Sequence, residues 1–163
     1  MSFPEPARVV LSHPAGWLAS GFGIGLSPFA PGTLASLVAL LPWWFYLQHG
    51  SLPVQGAIIA AGFVAGVFAS TWVIEKTGVQ DPSVVVWDEF IGQWIALLLA
   101  PAGWMWMAGG FVLFRLFDIW KPWPVRWADR SLHGGFGVMF DDVLAGIYAW
   151  ASLHLIVAFL DMR

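Results

Sequence analysis

The segment from Val54 to Ile74 constrains the fold of this chain more than any other, because its 21 residues include no charged side chain. As an α-helix it would rise about 31 Å, at about 1.5 Å per residue, which matches the hydrocarbon core of a bilayer. Val143 to Leu160 is also uncharged and would rise about 27 Å, enough to span with little tilt. The sequence therefore predicts transmembrane helices at both positions.

The composition agrees with a membrane protein. Of the 163 residues, 59% are apolar and 10% are charged, whereas soluble domains carry about 25% charged residues. The absence of cysteine excludes disulfides, thiolate nucleophiles and cysteine zinc sites. A net charge of −3 argues against a nucleic-acid-binding protein. We expect a single domain over residues 1–163, with residues 1–20 as a short cytosolic lead-in that lacks the pattern of a signal peptide.

Two further apolar regions are interrupted. Leu34 to Gln48 contains Pro42, where a helix could kink. Phe90 to Phe117 contains Pro101-Ala102-Gly103, which favours a turn and predicts two short helices, about 90–100 and 104–119. The predicted fold is all-α and polytopic, with about four to five membrane-associated helices.

The basic residues support a hairpin at Pro101. Lys76 follows the best predicted span, and three basic residues follow the 104–119 helix, namely Lys121, Arg126 and Arg130. The positive-inside rule places both groups in the cytosol. A hairpin returns the chain to that side, whereas one long crossing would separate them.

Gly21 to Ser36 is the first of three polar segments. Its glycines and prolines precede a helix that starts near Thr33 and Ser36. A loop of this kind suits an anion-binding site, in which backbone N–H groups at the helix N-terminus are directed at the anion. The spacing matches neither GxxxxGK[ST] nor GxGxxG, so nucleotide-binding loops are excluded. A helix cap at Gly32 or Thr33 is the structural alternative.

The second segment contains adjacent carboxylates, Asp88 and Glu89, directly before an apolar helix. They could cap that helix, but capping needs only one of them. A pair of oxygen ligands at a membrane edge suits Mg²⁺. Gly92, one turn beyond Asp88, leaves room for a close approach.

The third segment, Phe114 to Asp142, holds eight of the seventeen charged residues. Arg115, Asp118 and Lys121 recur every third residue and share a face if the helix persists. An ion-paired helix end with snorkelling basic groups is the alternative. After Pro122 and Pro124 we expect a flexible glycine loop, formed by Gly134, Gly135 and Gly137, that leads to Asp141 and Asp142 just before the last span.

Together these groups lie on one predicted face of the membrane. Carboxylates that bind a metal, beside cations that hold phosphate oxygens, form a site for metal-assisted phosphoryl chemistry. The combination is more specific than any of its parts.

Four segments, in this order and spacing, closely resemble the phosphatidylglycerophosphatase A family of bacterial inner-membrane enzymes: GFGIGLSPFAPGTLAS, VVVWDEFIGQW, FRLFDIWKPWPVRW and GGFGVMFDDVLAG. The resemblance covers about Gly21 to Ala149. It implies an all-helical, multi-pass enzyme of the inner membrane, with its site facing the cytosol. It also implies a Mg²⁺-dependent phosphatase that converts the phospholipid phosphatidylglycerophosphate to phosphatidylglycerol and phosphate.

The resemblance also assigns site residues. The catalytic and metal-binding positions are Asp88, Glu89, Asp118, Asp141 and Asp142. The phosphate-binding positions are Thr33, Ser36, Arg115 and Lys121. A carboxylate that does not bind metal would act as a general base or as a nucleophile, and the sequence leaves both routes open.

A small membrane transporter or channel subunit with a polar face that binds metal or phosphate is the alternative function. It predicts charges inside the spans, whereas here they gather at the predicted span ends. His133 is a candidate secondary acid or a loop residue without a role, and His154 is expected to hydrogen-bond between helices. The oligomeric state is not predicted.

Overall fold

The computed structural model describes residues 5–161, and this part of the chain is helical without strands. The predicted all-α fold is therefore confirmed. The helices are α1 (Glu5–Leu11), α2 (Pro14–Ala19), α3 (Pro31–Phe45), α4 (Leu52–Thr77), α5 (Trp87–Leu97), α6 (Trp104–Trp120), α7 (Val125–Ser131) and α8 (Gly134–Asp161), with 3₁₀ turns at Ile24–Leu26 and Leu47–His49.

Within residues 5–161, α4 and α8 are the helices long and apolar enough to cross a membrane. They contain the two segments that the sequence predicts as spans. Two is fewer than the four to five membrane-associated helices expected, because α3, α5 and α6 are shorter.

The predicted hairpin at Pro101 is confirmed. The helix α5 ends at Leu97, and α6 begins at Trp104 after a tight connection in which Leu99 and Gly103 have positive φ. The indole Nε1 of Trp150, in α8, donates to the carbonyl of Leu98 at 2.9 Å. This bond satisfies a carbonyl that the end of α5 leaves without a helical partner.

The start of α3 differs from the predicted cap. The N-cap is Ala30, in the left-handed region at φ 40°, rather than Gly32 or Thr33. Pro31 takes the first helical position, where its missing N–H costs no helical hydrogen bond. Pro42 lies inside the helix, which continues to Phe45 without ending there.

The expected flexible loop around Gly134, Gly135 and Gly137 is wrong, because α8 begins at Gly134. Asp141 and Asp142 consequently lie two turns inside α8 rather than just before it. The physical reason is close helix packing. A Cβ on Gly135 would overlap the carbonyl oxygen of Val67 and lie 2.6 Å from the backbone nitrogen of Thr71, in α4.

We therefore expect Gly135→Ala to lower the free energy of unfolding by about 1–3 kcal/mol, because backbone atoms of α4 cannot move aside as a side chain would. The melting temperature should fall by several degrees, at about 2–4 °C per kcal/mol for a chain of this size. Gly109→Ala, in α6, is the control, because its Cβ would meet only Leu153 Cδ1 at 3.4 Å. Equal melting temperatures for the two variants would contradict this account.

The helices α5 and α8 pack most closely beneath the site. A Cβ on Gly92 would lie 2.8 Å from the carbonyl oxygen of Asp142, and a Cβ on Gly146 would lie 2.6 Å from that of Gly92. The close approach expected at Gly92 is thus a contact between helices. It brings the first turn of α5 against Asp142.

The predicted lead-in is partly structured. Residues 1–4 lie outside the described part of the chain, whereas α1 and α2 pack against α4. Val10 and Ala19 are fully buried in a cluster with Val73. His13 stacks on Trp72 with ring centroids 4.5 Å apart.

Candidate active site

A polar cavity of about 540 Å³ opens at one end of the helix bundle. Its wall is formed by six parts of the fold: the start of α3, the loop before α5, the first turn of α5, the end of α6, α7 and the start of α8. Among its lining residues are seven carboxylates and two cations: Asp81, Asp88, Glu89, Asp118, Asp129, Asp141, Asp142, Arg115 and Lys121. The cavity wall therefore carries an excess of five formal negative charges when all these groups are ionised.

Three of the carboxylates form a compact group. Asp88 and Glu89 project from the first turn of α5, and Asp142 projects from α8. One oxygen from each of the three lies within 4.8 Å of the other two. One further oxygen observation supports a ligand at this group. Three carboxylate oxygens are buried and have no hydrogen-bond partner, namely Asp88 Oδ1, Glu89 Oε2 and Asp142 Oδ2. Hard, oxygen-rich sites of this kind suit a divalent cation such as Mg²⁺.

The protonation of Asp88 and Glu89 reflects this crowding. Burial raises the pKa of Asp88 well above its ordinary value, and the negative charge of Glu89 raises it further. Burial also raises the pKa of Glu89, although Arg115 opposes the shift. Both shifts mean that the folded chain disfavours the ionised carboxylates unless a cation compensates them.

Arg115 connects α6 to the second turn of α3 and the first turn of α5. Its Nη1 lies 2.7 Å from Asp118 Oδ2 and 3.9 Å from Glu89 Oε1. The same nitrogen donates to Ser36 Oγ at 3.3 Å, and that hydroxyl donates to the carbonyl of Gly32 at 2.9 Å. Ser36 is fully buried and does not line the cavity, so the structure places it behind Arg115.

Lys121 connects the end of α6 to α7 and α8. It is the C-cap of α6 in the left-handed region, and its Nζ binds Asp129 and, at 2.7 Å, Asp141 Oδ2. Burial alone would lower the pKa of Lys121, but Asp141 and Asp129 outweigh this effect and raise it. The ammonium group therefore remains charged at the cavity wall.

The N-terminus of α3 faces the same cavity. Ala30, Pro31, Gly32 and Thr33 line it. The N–H groups of Gly32 and Thr33 precede the first hydrogen bond of α3, which Leu34 donates to the carbonyl of Ala30 at 3.0 Å. Such N–H groups at the positive end of a helix dipole favour an anion.

The structure brings eight of the nine predicted site residues to this cavity. They are Thr33, Asp88, Glu89, Arg115, Asp118, Lys121, Asp141 and Asp142. Sequence reasoning assigned no site role to the lining residues Gln80, Asp81, Ser83 and Asp129, and it favoured no role for His133. Asp129 had one sequence signal, because it lies among the concentrated charges after α6. Its pairing with Lys121, eight positions away across two prolines, follows no helical spacing.

Comparisons with known proteins show the family to which the chain belongs. The family model of Phosphatidylglycerophosphatase A matches residues 17–157. Phosphatidylglycerophosphatase A from Escherichia coli (strain K12) is 44% identical over 151 residues, which cover 92% of this chain and 87% of that protein. The protein of the same name from Haemophilus influenzae is 41% identical over 143 residues, covering 87% of this chain and 88% of that protein.

A Bacteroides thetaiotaomicron protein provisionally named phosphatidylinositol-3-phosphatase is also similar. It is 44% identical over 140 residues, which cover 82% of this chain and 87% of that protein. No solved structure matches the chain. The resemblance seen in four sequence segments is confirmed: the chain belongs to the phosphatidylglycerophosphatase A family, and it is a phosphatase.

Proposed function

We propose that this protein is a Mg²⁺-dependent phosphatase that removes the terminal phosphate of phosphatidylglycerophosphate, giving phosphatidylglycerol and phosphate. The family supports the reaction and the substrate class. The observation that carries the metal requirement is the group formed by Asp88, Glu89 and Asp142, whose buried oxygens have no protein partner. These oxygens lie in the same cavity as the groups suited to a phosphate.

The residues present fit a divalent cation. Asp88, Glu89 and Asp142 would hold Mg²⁺, and Asp118 and Asp141 are the further carboxylates in reach of a ligand in the cavity. A bound Mg²⁺ supplies charge that stabilises phosphate oxygens and acidifies a water molecule. Without such a cation, the carboxylates that are ionised in the cavity would repel a phosphate dianion.

The chain itself binds and orients the phosphate. The N–H groups of Gly32 and Thr33 and the guanidinium of Arg115 donate to its non-bridging oxygens, while Lys121 adds a fixed positive charge. Ser36 and Asp118 hold Arg115 in place. Asp118 and Asp141, each paired with a cation, are the further carboxylates of the cavity that could accept a proton.

The reaction balances as a hydrolysis. A P–O bond forms to the incoming oxygen, the P–O bond to the glycerol oxygen breaks, and one proton moves to that leaving oxygen. In one route, a carboxylate takes the proton of an attacking water. In the other, a carboxylate attacks phosphorus and forms an aspartyl-phosphate, which a water molecule then hydrolyses to phosphate and the free carboxylate. Trapping an acyl-phosphate on the protein distinguishes the second route.

The bundle suits a substrate that stays in a membrane. We propose a multi-pass location in the bacterial inner membrane, with the cavity on the cytosolic side and the acyl chains among membrane lipids. The basic residues Lys76, Arg126 and Arg130 support this orientation. The apolar part of α8 starts at Val143, directly after the acidic pair, so the polar cavity lies at the end of the proposed span.

A transporter or channel subunit is the rival function. It predicts charges within spans, and α8 does include Asp141 and Asp142, two turns after its start. Both, however, face the cavity at the end of the bundle, and α4 carries its charges only at its last turn. Membership of a phosphatase family favours the enzyme.

The decisive experiment measures phosphate release from phosphatidylglycerophosphate by the purified protein in detergent, with Mg²⁺ or with EDTA. Phosphatidic acid and phosphatidylinositol 3-phosphate are parallel substrates, the latter because of the name of one relative. We expect release from phosphatidylglycerophosphate that EDTA abolishes and Mg²⁺ restores. Release that persists in EDTA would refute the metal requirement, and preference for another lipid would refute the substrate.

Mg²⁺ should also stabilise the fold in the absence of substrate. At a Mg²⁺ concentration 100 times its dissociation constant, binding adds about 2.7 kcal/mol to the free energy of unfolding. The melting temperature should then rise by about 5–10 °C. Potassium chloride at matched ionic strength is the control, since an equal shift with that salt would indicate screening of the carboxylates rather than a bound Mg²⁺.

A further inference from the structure

Gln93 is a buried polar side chain for which the site described above provides no role. It lies in α5, is 0% exposed, and has no hydrogen-bond partner at either Oε1 or Nε2. An unpaired buried polar group typically costs about 1–3 kcal/mol, and such groups are few in folded proteins. An apolar residue of similar size would avoid this cost.

The neighbours of Gln93 show which way it points. Gly92 packs against Phe114 of α6, and Trp94 Nε1 donates to the carbonyl of Ala39 in α3 at 2.9 Å. Gln93 lies between these two directions on α5, so it faces the interface of α3 and α6. It is also four residues after Glu89, one turn along the same helix face. This spacing places Gln93 one turn beneath Glu89, whose Oε1 lies 3.9 Å from Arg115 Nη1.

Two other buried atoms of that region lack partners. Arg115 Nε is a donor without an acceptor, and Glu89 Oε2 is an acceptor without a donor. A glutamine amide offers the complementary pair, an acceptor at Oε1 and two donors at Nε2. The donors and acceptors of Gln93 thus complement every unpaired buried atom of Arg115 and Glu89.

We propose that Gln93 is a positioning residue of the phosphatase, acting through Arg115 and Glu89. Its Oε1 accepts from Arg115 Nε–H and its Nε2 donates to Glu89 Oε2, in each case through one ordered water molecule. This fixes a phosphate-binding cation relative to a metal-binding carboxylate. The inference rests on the proposed function, because it assigns Arg115 to phosphate and Glu89 to the metal.

Gln93→Met tests the proposal, because methionine keeps the volume and removes both polar atoms. We expect kcat to fall about tenfold and Mn²⁺ to bind about tenfold more weakly, as when partners of metal ligands are removed elsewhere. The melting temperature should fall, since Arg115 Nε and Glu89 Oε2 would lose the buried partner that Gln93 provides. Mn²⁺, which accepts similar oxygen ligands, is titrated by electron paramagnetic resonance without substrate.

Gln55→Met is the matched control. Gln55 is also buried, but it lies near the start of α4, where its Nε2 donates to the carbonyls of Leu47 at 2.9 Å and Gly50 at 3.2 Å. Its substitution should lower the melting temperature and leave kcat and Mn²⁺ affinity unchanged. Both variants should therefore lose stability, and kcat and Mn²⁺ affinity distinguish them. Values of kcat and Mn²⁺ affinity for Gln93→Met within twofold of the unsubstituted protein would overturn the proposal.

A measurement on the unsubstituted protein covers the case in which Gln93→Met does not fold. With ¹⁵N-glutamine labelling, Mg²⁺ should shift the side-chain amide signal of Gln93 and leave that of Gln55 in place; an unshifted Gln93 signal would also refute the role. Failure of the proposed function is a separate result, in which the unsubstituted protein releases no phosphate from the lipid. The Mn²⁺ affinities of the variants still decide the role of Gln93 in that case.

Discussion

Asp142→Asn is expected to lower kcat on the order of 1,000-fold, a loss comparable to removal of a group that stabilises transition-state charge. Asp142 is 3% exposed and contributes one of the three carboxylate oxygens that lie within 4.8 Å of one another. An amide keeps the shape but has one neutral oxygen in place of the carboxylate charge. The measurement is phosphate release at saturating lipid, over a range of Mg²⁺ concentrations.

Stability should change in the opposite direction. Asp142 lies beside Asp88 and Glu89, so removing its charge relieves repulsion among buried carboxylates when no cation is bound. The melting temperature in EDTA should be unchanged or higher, and the stabilisation by Mg²⁺ should be lost. Glu75→Gln, an exposed carboxylate near the end of α4, is the control and should retain both activity and the Mg²⁺ effect. An Asp142→Asn protein that retains a tenth of the activity would show that the three-carboxylate group is not the metal site.

Gly32→Ala is expected to lower kcat about 100-fold through one added methyl group, since small misplacements at a reacting centre have effects of this size. The new Cβ would overlap Glu89 Oε1, lie 3.0 Å from Glu89 Cδ and lie 3.5 Å from Arg115 Nη1. The Glu89 carboxylate must therefore move relative to Asp88 and Asp142. The loss should be accompanied by weaker Mg²⁺ activation.

Backbone strain does not explain the expected loss of kcat in Gly32→Ala, so the variant reports on the position of Glu89. Gly32 lies in the first turn of α3, where alanine is more favourable than glycine by about 0.5–1 kcal/mol in general. The melting temperature should therefore fall little, or rise. Gly56→Ala, in α4, is the matched control because no atom lies within 4 Å of its added Cβ. If Gly32→Ala and Gly56→Ala retained equal activity, the position of Glu89 would not matter for catalysis.

The long elements of the fold could be predicted from the sequence. The uncharged run from Val54 to Ile74 lies inside α4, and Pro101 marks the turn between α5 and α6, because apolar length and proline act locally. The start of α8 could not be predicted in the same way. Gly134, Gly135 and Gly137 are typical of a loop, and only the position of α4 shows that Gly135 must lack a side chain.

The residues of the candidate site were predictable to a large extent, but their partners were not. Asp88 and Glu89 stand out as adjacent carboxylates before an apolar run. Ser36 could be placed near the site but not behind Arg115, since that contact joins residues 79 positions apart. Gln93 has no sequence signal, because only a count of unpaired buried atoms distinguishes it from a surface glutamine.

The position of Arg115 has a consequence for how the ligands of this enzyme bind. One guanidinium lies near Glu89 of the proposed metal site and is held by Ser36 behind the helix end proposed for phosphate. A ligand bound at one of these two proposed sites affects the position of Arg115. It therefore changes the binding free energy of a ligand at the other site. Reciprocity then requires that the factor by which Mg²⁺ tightens phosphate binding equals the factor by which phosphate tightens Mg²⁺ binding. Product phosphate would therefore retain the metal, and the two would tend to leave together.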